Sequence, residues 1–234
     1  MKWLIASDLH GSAYYCRKLL EAYDQEKADR MLLLGDILYH GPRNDLPTEY
    51  APKQVIAMLN ARKQDILCVR GNCDGEVDQM VLEFPIMADY CVLELGKGIV
   101  YATHGHHFNE ENLPPLHKGD ILLHGHTHVP KCVEHEEYVY LNPGSVSMPK
   151  EDSWHGYMTL EDGTFLWKDF DGNVRYTLAH RFGCSSKSNK WSQDLHRMID
   201  ITDSDFDNDD FRALLGYINT SESEQKKGVN GYEK

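Results

Sequence analysis

The sequence predicts an α/β protein: two sheets packed face to face with helices outside. Three observations carry this. The first 75 residues repeat a unit of short apolar run, polar loop and amphipathic stretch. From about residue 90 the rhythm changes to short apolar or alternating segments separated by glycine-containing turns. Finally, one apolar run after another ends in a carboxylate, amide or imidazole. In α/β sheets the carboxyl ends of strands deliver functional groups to one edge, so these residues are expected to share a site there.

Taken in order, Lys2 to Ala6 reads as a strand running into Ser7-Asp8-Leu9-His10-Gly11-Ser12. Ser12 is a suitable N-cap, and Cys16, Leu19, Leu20 and Tyr23 then fall at i, i+3, i+4, i+7, the stripe of an amphipathic helix. Met31 to Leu34 is a second strand, closed by Gly35-Asp36. The loop Tyr39 to Pro47 is rich in Gly and Pro and reads as irregular. Pro52 suits a first helical position, with Val55, Ile56 and Leu59 as the apolar face. Asp65 to Val69 is a third strand, followed by Arg70-Gly71-Asn72-Cys73-Asp74.

Cys91 to Leu95 and Ile99 to Thr103 flank Gly96-Lys97-Gly98, a hairpin signal. The second of these strands runs into His104-Gly105-His106-His107. Ile121 to Leu123 is a buried strand ending in His124-Gly125-His126-Thr127-His128. In an extended segment residues two apart face the same side, so His126 and His128 are expected to reach one site. Val139 to Leu141 is closed by Asn142-Pro143-Gly144-Ser145, where turn hydrogen bonds are the expected role of Asn142 and Ser145. Tyr157 to Leu160, Thr164 to Lys168 and Val174 to Leu178 read as hairpin strands with turns at Asp162-Gly163 and Asp171-Gly172. The composition shifts near Gly183, giving a domain over 1–183 and an extension over 184–234. Residues 192–234 carry ten acidic and five basic side chains and few core formers, which predicts an acidic, flexible tail.

The net charge of −13 argues against nucleic acid as the main partner. No apolar run approaches the roughly 18 residues of a membrane span, and the N-terminus turns polar too early for a secretory signal. Six cysteines without a CxxC pair read as reduced thiols. A cytoplasmic protein is expected, and a homo-oligomer is compatible with the sequence.

Asp8, His10, Asp36, Asn72, His104, His126 and His128 form the candidate site. Each follows a strand, and seven of the thirteen histidines lie between residues 104 and 128. Carboxylate and amide oxygens mixed with imidazoles suit manganese, iron or zinc. Seven ligands exceed one tetrahedral site, so two ions sharing one carboxylate are expected.

The DxH, GD, GNxD, HGH and GHTH runs, in this order, resemble the calcineurin-like metallophosphoesterase superfamily. With His40-Gly41-Pro42-Arg43-Asn44, the GNCD at 71–74 and the NPGS at 142–145, the sequence is similar to its small bacterial phosphodiesterases of the YfcE type. The resemblance spans about residues 1–180. It implies a four-layer α/β/β/α sandwich with a binuclear site. Asp8, His10, Asp36 and His128 would hold one ion and Asp36, Asn72, His104 and His126 the other. Manganese is the expected metal, with iron, zinc or nickel as alternatives. The implied activity is hydrolysis of a small phosphodiester by a metal-bridging hydroxide, with His104 and Asn72 close to the reacting phosphate.

Many members of the superfamily carry a histidine just after the GN pair as the proton donor to the leaving group. This chain has Cys73 there. A thiol beside two cations is expected to ionise, which favours diesters with weakly basic leaving groups. His106 either replaces the missing acid or is a solvated neighbour. Arg43 either meets the phosphate or is solvated in its loop. Rival readings are a phosphomonoesterase of the same fold, a nuclease, and a non-catalytic scaffold like the retromer subunit that shares this fold but has lost ligands.

Overall fold

The computed structural model describes residues 1–180. The expected tail over 184–234 lies outside the described residues. Fourteen elements follow in order: β1 (Trp3–Ala6), α1 (Ala13–Glu26), β2 (Arg30–Leu33), α2 (Pro52–Asn60), β3 (Ile66–Cys68), α3 (Glu76–Gln79), β4 (Tyr90–Leu95), β5 (Gly98–Thr103), β6 (Asp120–Leu123), β7 (Pro130–Glu134), β8 (Tyr138–Pro143), β9 (Gly156–Glu161), β10 (Thr164–Asp169) and β11 (Val174–Ala179).

They build two mixed sheets. The first runs β11-β10-β9-β1-β2-β3 and the second β4-β5-β6-β8-β7. Strands β1, β2 and β3 are mutually parallel, while β9 to β11 form an antiparallel meander added to β1. In the second sheet, β5, β6 and β8 are parallel and β4 and β7 are antiparallel edges.

Side-chain alternation divides the core. On β1, Leu4 and Ala6 pack with Cys16, Leu19, Val55 and Leu59 of the helices. Ile5 turns the other way and joins Leu32, Val100, Ile121, Leu141 and Trp167 between the sheets. This is the period-2 pattern of a strand buried on both faces. Trp167 is fully buried and donates its indole N–H to the Asn142 carbonyl at 2.7 Å, tying β10 to β8 across the sheets.

Helices α1 and α2 cover the first sheet. The outer face of the second, carrying Tyr101, Leu122 and Tyr140, is covered by Phe108 and Leu116 of the irregular segment 104–119. Pro114-Pro115 within that segment removes backbone donors and forbids a regular helix.

Ser12 caps α1 as expected, its Oγ accepting the Tyr15 N–H, and Pro52 opens α2. The chain ends α1 with Lys27 in the left-handed region. The unexpected strand is β7. It begins with a proline and carries Lys131 and Glu134, a composition tolerated at a sheet edge but invisible to a search for apolar runs.

Candidate metal centre

All seven candidate ligands lie just beyond strand ends. Asp8 and His10 follow β1, Asp36 follows β2, Asn72 follows β3, His104 follows β5, and His126 and His128 follow β6. His10 Nε2 is 3.6 Å from Asp8 Oδ1, 3.6 Å from Asp36 Oδ2 and 3.4 Å from His128 Nε2. His128 Nε2 is 3.3 Å from Asp8 Oδ1. On the other side of Asp36, His104 Nε2 is 3.5 Å from the same Oδ2, 3.0 Å from Asn72 Oδ1 and 3.2 Å from His126 Nδ1. Asp36 therefore stands between two groups, one of Asp8, His10 and His128 and one of Asn72, His104 and His126.

The proton positions say what the centre lacks. His10, His104 and His128 each direct Nδ1 at a backbone carbonyl, those of Tyr39, Leu34 and Met148, all at 2.7 Å. A carbonyl only accepts, so each Nδ1 carries the proton and a neutral ring offers Nε2 as a bare lone pair. Those of His10 and His128 lie 3.4 Å apart beside Asp8, and those of His10 and His104 each lie within 3.6 Å of Asp36 Oδ2. Asp8 is fully buried, and its Oδ1 has no hydrogen-bond donor. Buried acceptors facing acceptors are costly unless a cation or extra protons sit among them.

Protons leave their mark here. Burial works to raise the Asp8 carboxyl, but interactions with His10 and His128 outweigh it and hold it well below the usual range. Burial works to lower His10, and Asp8 outweighs it, so His10 is raised. That pairing needs a doubly protonated imidazole, because Nδ1 is already committed. The same space accepts a proton or a metal ion, and metal binding would release the proton.

The backbone route to this geometry was not legible in strand alternation. Asp8, His10, Asp36, His126 and His128 have φ of 59°, 49°, 56°, 66° and 64°. These left-handed residues cost energy and persist where surrounding bonds over-determine them. Here the Asp8 N–H donates to the Gly35 carbonyl at 3.1 Å and the His10 N–H to the Asp36 carbonyl at 2.8 Å. His126 and His128 do converge, but by a left-handed turn and not along an extended segment. Two glycines make room. A Cβ on Gly71 would sit 2.1 Å from Asp36 Oδ1, and one on Gly125 1.9 Å from Ser7 Oγ.

Further residues support this geometry, of which Asp74 and Ser147 had no assigned role in the sequence reading. Buried Asp74 accepts the N–H groups of Asp36, Ile37 and Gly71 at 2.8–2.9 Å, fixing the turn that presents Asp36. Its signal was the aspartate of the GNCD run. Ser145 and Ser147 both donate to the Asp8 carbonyl, at 2.9 and 3.0 Å. Asn142 binds Gly125 O and Thr127 Oγ1, so it makes the expected turn bonds and steadies the His126–His128 loop.

Cys73 and His106 lie beside the centre, the Cys73 N–H on Asp36 Oδ1 and the His106 ring 5.4 Å from that of His104. Burial first, then the Asp36 carboxylate, push the Cys73 thiol up. The protein's own groups therefore favour the protonated thiol, and the ionisation expected from the sequence would depend on the neighbouring cations. Arg43 is exposed on a loop whose Gly41 approaches Cys73, a Cβ there lying 3.4 Å from Sγ. Burial and the neighbouring histidines lower His106 to about 4, so it is neutral near pH 7 and ill suited to donate a proton.

Two mixed sheets with flanking helices, and a carboxylate–imidazole centre at the strand ends, define a phosphoesterase of the calcineurin type. Residues 1–163 match the family model described as the calcineurin-like phosphoesterase superfamily domain, and the chain belongs to that superfamily. It is similar to the phosphodiesterase YfcE of Escherichia coli K12, with 46% identity over 162 residues covering 69% of this chain and 88% of that protein. The solved structure of E. coli YfcE, described as a phosphoesterase, superposes with a TM-score of 0.75 at 42% identity, covering 77% of this chain and 100% of that one. Chaetomium thermophilum Vps29 superposes at 0.50 with 17% identity, covering 77% of this chain and 100% of that one, which shows shared fold alone.

Proposed function

We propose that this chain is a cytoplasmic, metal-dependent phosphodiesterase acting on a small phosphodiester. Asp8, His10, Asp36 and His128 would hold one divalent ion, and Asp36, Asn72, His104 and His126 a second. Manganese is the first candidate, with iron, zinc or nickel as alternatives. The observation that carries this reading is the set of bare Nε2 lone pairs and the donorless Asp8 Oδ1 facing a shared space. Such a donor set fits divalent cations. The 46% identity to a phosphodiesterase supports the reaction class.

Bound there, two divalent ions would supply a water nucleophile at neutral pH and positive charge for the phosphoryl oxygens. The chain's own residues do the rest. Backbone carbonyls hold the three Nδ1 protons and so keep each Nε2 aimed inward. Asp74 holds the Asp36 turn. Arg43, exposed on the loop that carries Gly41, would be suited to meet a phosphate oxygen. Cys73, whether thiol or thiolate, and neutral His106 are poor proton donors at neutral pH, which supports diesters with weakly basic leaving groups.

The test is hydrolysis of bis(p-nitrophenyl) phosphate and p-nitrophenyl phosphate by chelator-treated protein before and after adding Mn²⁺. Turnover of the diester, restored by metal and exceeding that of the monoester, is expected. Metal binding without hydrolysis of either would leave a scaffold. Preference for the monoester would make the chain a phosphomonoesterase.

A further inference from the structure

We propose that Cys73 is a positioning residue, whose sulfur holds the Asn72 side chain so that its carbonyl oxygen, not its amino group, faces the metal centre. The inference rests on the metal reading above.

Asn72 is exposed, so burial does not orient its amide. Its Oδ1 lies 3.0 Å from His104 Nε2. That nitrogen is bare, because His104 Nδ1 gives its proton to the Leu34 carbonyl. An oxygen lone pair against a nitrogen lone pair is the unfavourable choice in the chain by itself. Turned over, the amide would donate Nδ2–H to Nε2. Some other contact has to select the orientation that faces a cation.

Cys73 supplies that contact. Asn72 Nδ2 donates to Cys73 Sγ at 3.2 Å. The sulfur's lone pairs accept from this amino group. The Cys73 N–H donates to Asp36 Oδ1 at 2.8 Å, which anchors the residue beside the centre. The chain of bonds runs from Asp36 through the Cys73 backbone N–H to the residue whose sulfur holds the amide, and so couples the central carboxylate to one ligand on its far side. This gives the GNCD cysteine a task that requires neither ionisation nor proton transfer. A serine hydroxyl could accept from the Asn72 amide in the sulfur's place; an alanine could not.

Titration calorimetry with Mn²⁺ tests this on the full chain, using wild type, Cys73→Ala, Cys73→Ser, Asn72→Ala and the Asn72→Ala/Cys73→Ala pair. Groups that orient metal ligands are typically worth roughly 10–100-fold in affinity. Cys73→Ala is expected to weaken Mn²⁺ binding about tenfold, at the low end of that range, and Cys73→Ser to restore most of it. In the Asn72→Ala background, removing the sulfur should add nothing. Wild-type affinity in Cys73→Ala would overturn the inference while leaving the metal reading intact. A full Cys73→Ala effect persisting without Asn72 would overturn it too, since the sulfur would then act on the metal directly. A wild-type chain that binds no Mn²⁺ would remove the metal reading, and this inference with it.

Discussion

The two ends of the β1–α1 unit treat buried charge in opposite ways. At the amino end of β1, Glu26 accepts from Lys2 Nζ at 2.8 Å, Lys168 Nζ at 2.7 Å and Tyr157 Oη at 3.0 Å. Its carboxylate is saturated by Lys2, just before β1, Tyr157 of β9 and Lys168 of β10. At the carboxyl end, Asp8 is fully buried with a donorless Oδ1, sits at a left-handed φ, and faces Asp36 and imidazole lone pairs. The first cluster is complete within the chain and serves folding. The second leaves acceptors facing one another at strained backbone positions, an arrangement that suits a bound cation.

The comparison predicts different responses to mutation. The largest effect belongs to Asp36→Asn. It should reduce diester turnover to background and sharply lower metal occupancy, because one carboxylate serves both halves of the centre. The same variant should lose the rise in Tm that Mn²⁺ gives wild type, since a ligand stabilises only a fold that binds it. Near-normal turnover with two metals per chain would refute the assignment.

Glu26→Gln should do the reverse, costing about 2 kcal/mol of stability, the scale of hydrogen bonds to charged groups, while leaving turnover per folded molecule unchanged. Burial works to raise the Glu26 carboxyl, but hydrogen bonds from Lys168 and Lys2 outweigh it and the group ends up lowered. Its contribution is therefore full above the unfolded glutamate value, about 4.3, and is lost as pH falls through the lower folded value. Denaturant titrations between neutral and acid pH should show a shallower acid loss in Glu26→Gln. An unchanged slope would mean that Glu26 does not carry it.

A smaller effect is expected of Cys73→Ala on chemistry at saturating metal, equal for nitrophenyl and alkyl diesters. A proton donor would instead cost alkyl esters roughly 10²–10⁴-fold and spare nitrophenyl esters, and kcat/KM for the two substrate types separates these outcomes. The smallest effect is that of deleting residues 187–234. The family match ends at residue 163, and the whole YfcE chain is covered by 77% of this one. Fold and turnover should be unaltered, and an insoluble or inactive truncation would refute this.

Much of this was legible in local pattern. The β1, β2, β3 and β6 runs, the β4–β5 hairpin and the Ser12 cap follow from apolar periodicity and turn residues acting over a few positions. The convergence of the seven candidate residues followed too, because each comes just after a strand. Strand β7 was hidden, since an edge strand gains its pairing from β8 and needs no apolar face. The covering of the second sheet by residues 104–119 was hidden for a similar reason: irregular backbone has no period to read.

By itself the sequence determined which side chains could bind metal, and that they lie at strand ends. Only the tertiary structure decided how they face one another. The left-handed turns at Asp8, Asp36 and His126 exist because bonds from distant segments hold them. The inward aim of each Nε2 depends on carbonyls of Leu34, Tyr39 and Met148, whose identity as residues is irrelevant. A backbone oxygen is the same in every amino acid, so no reading of side chains could have named them. The proton on each Nδ1, and with it the metal-binding character of the centre, is fixed by where the folded chain happens to place those oxygens.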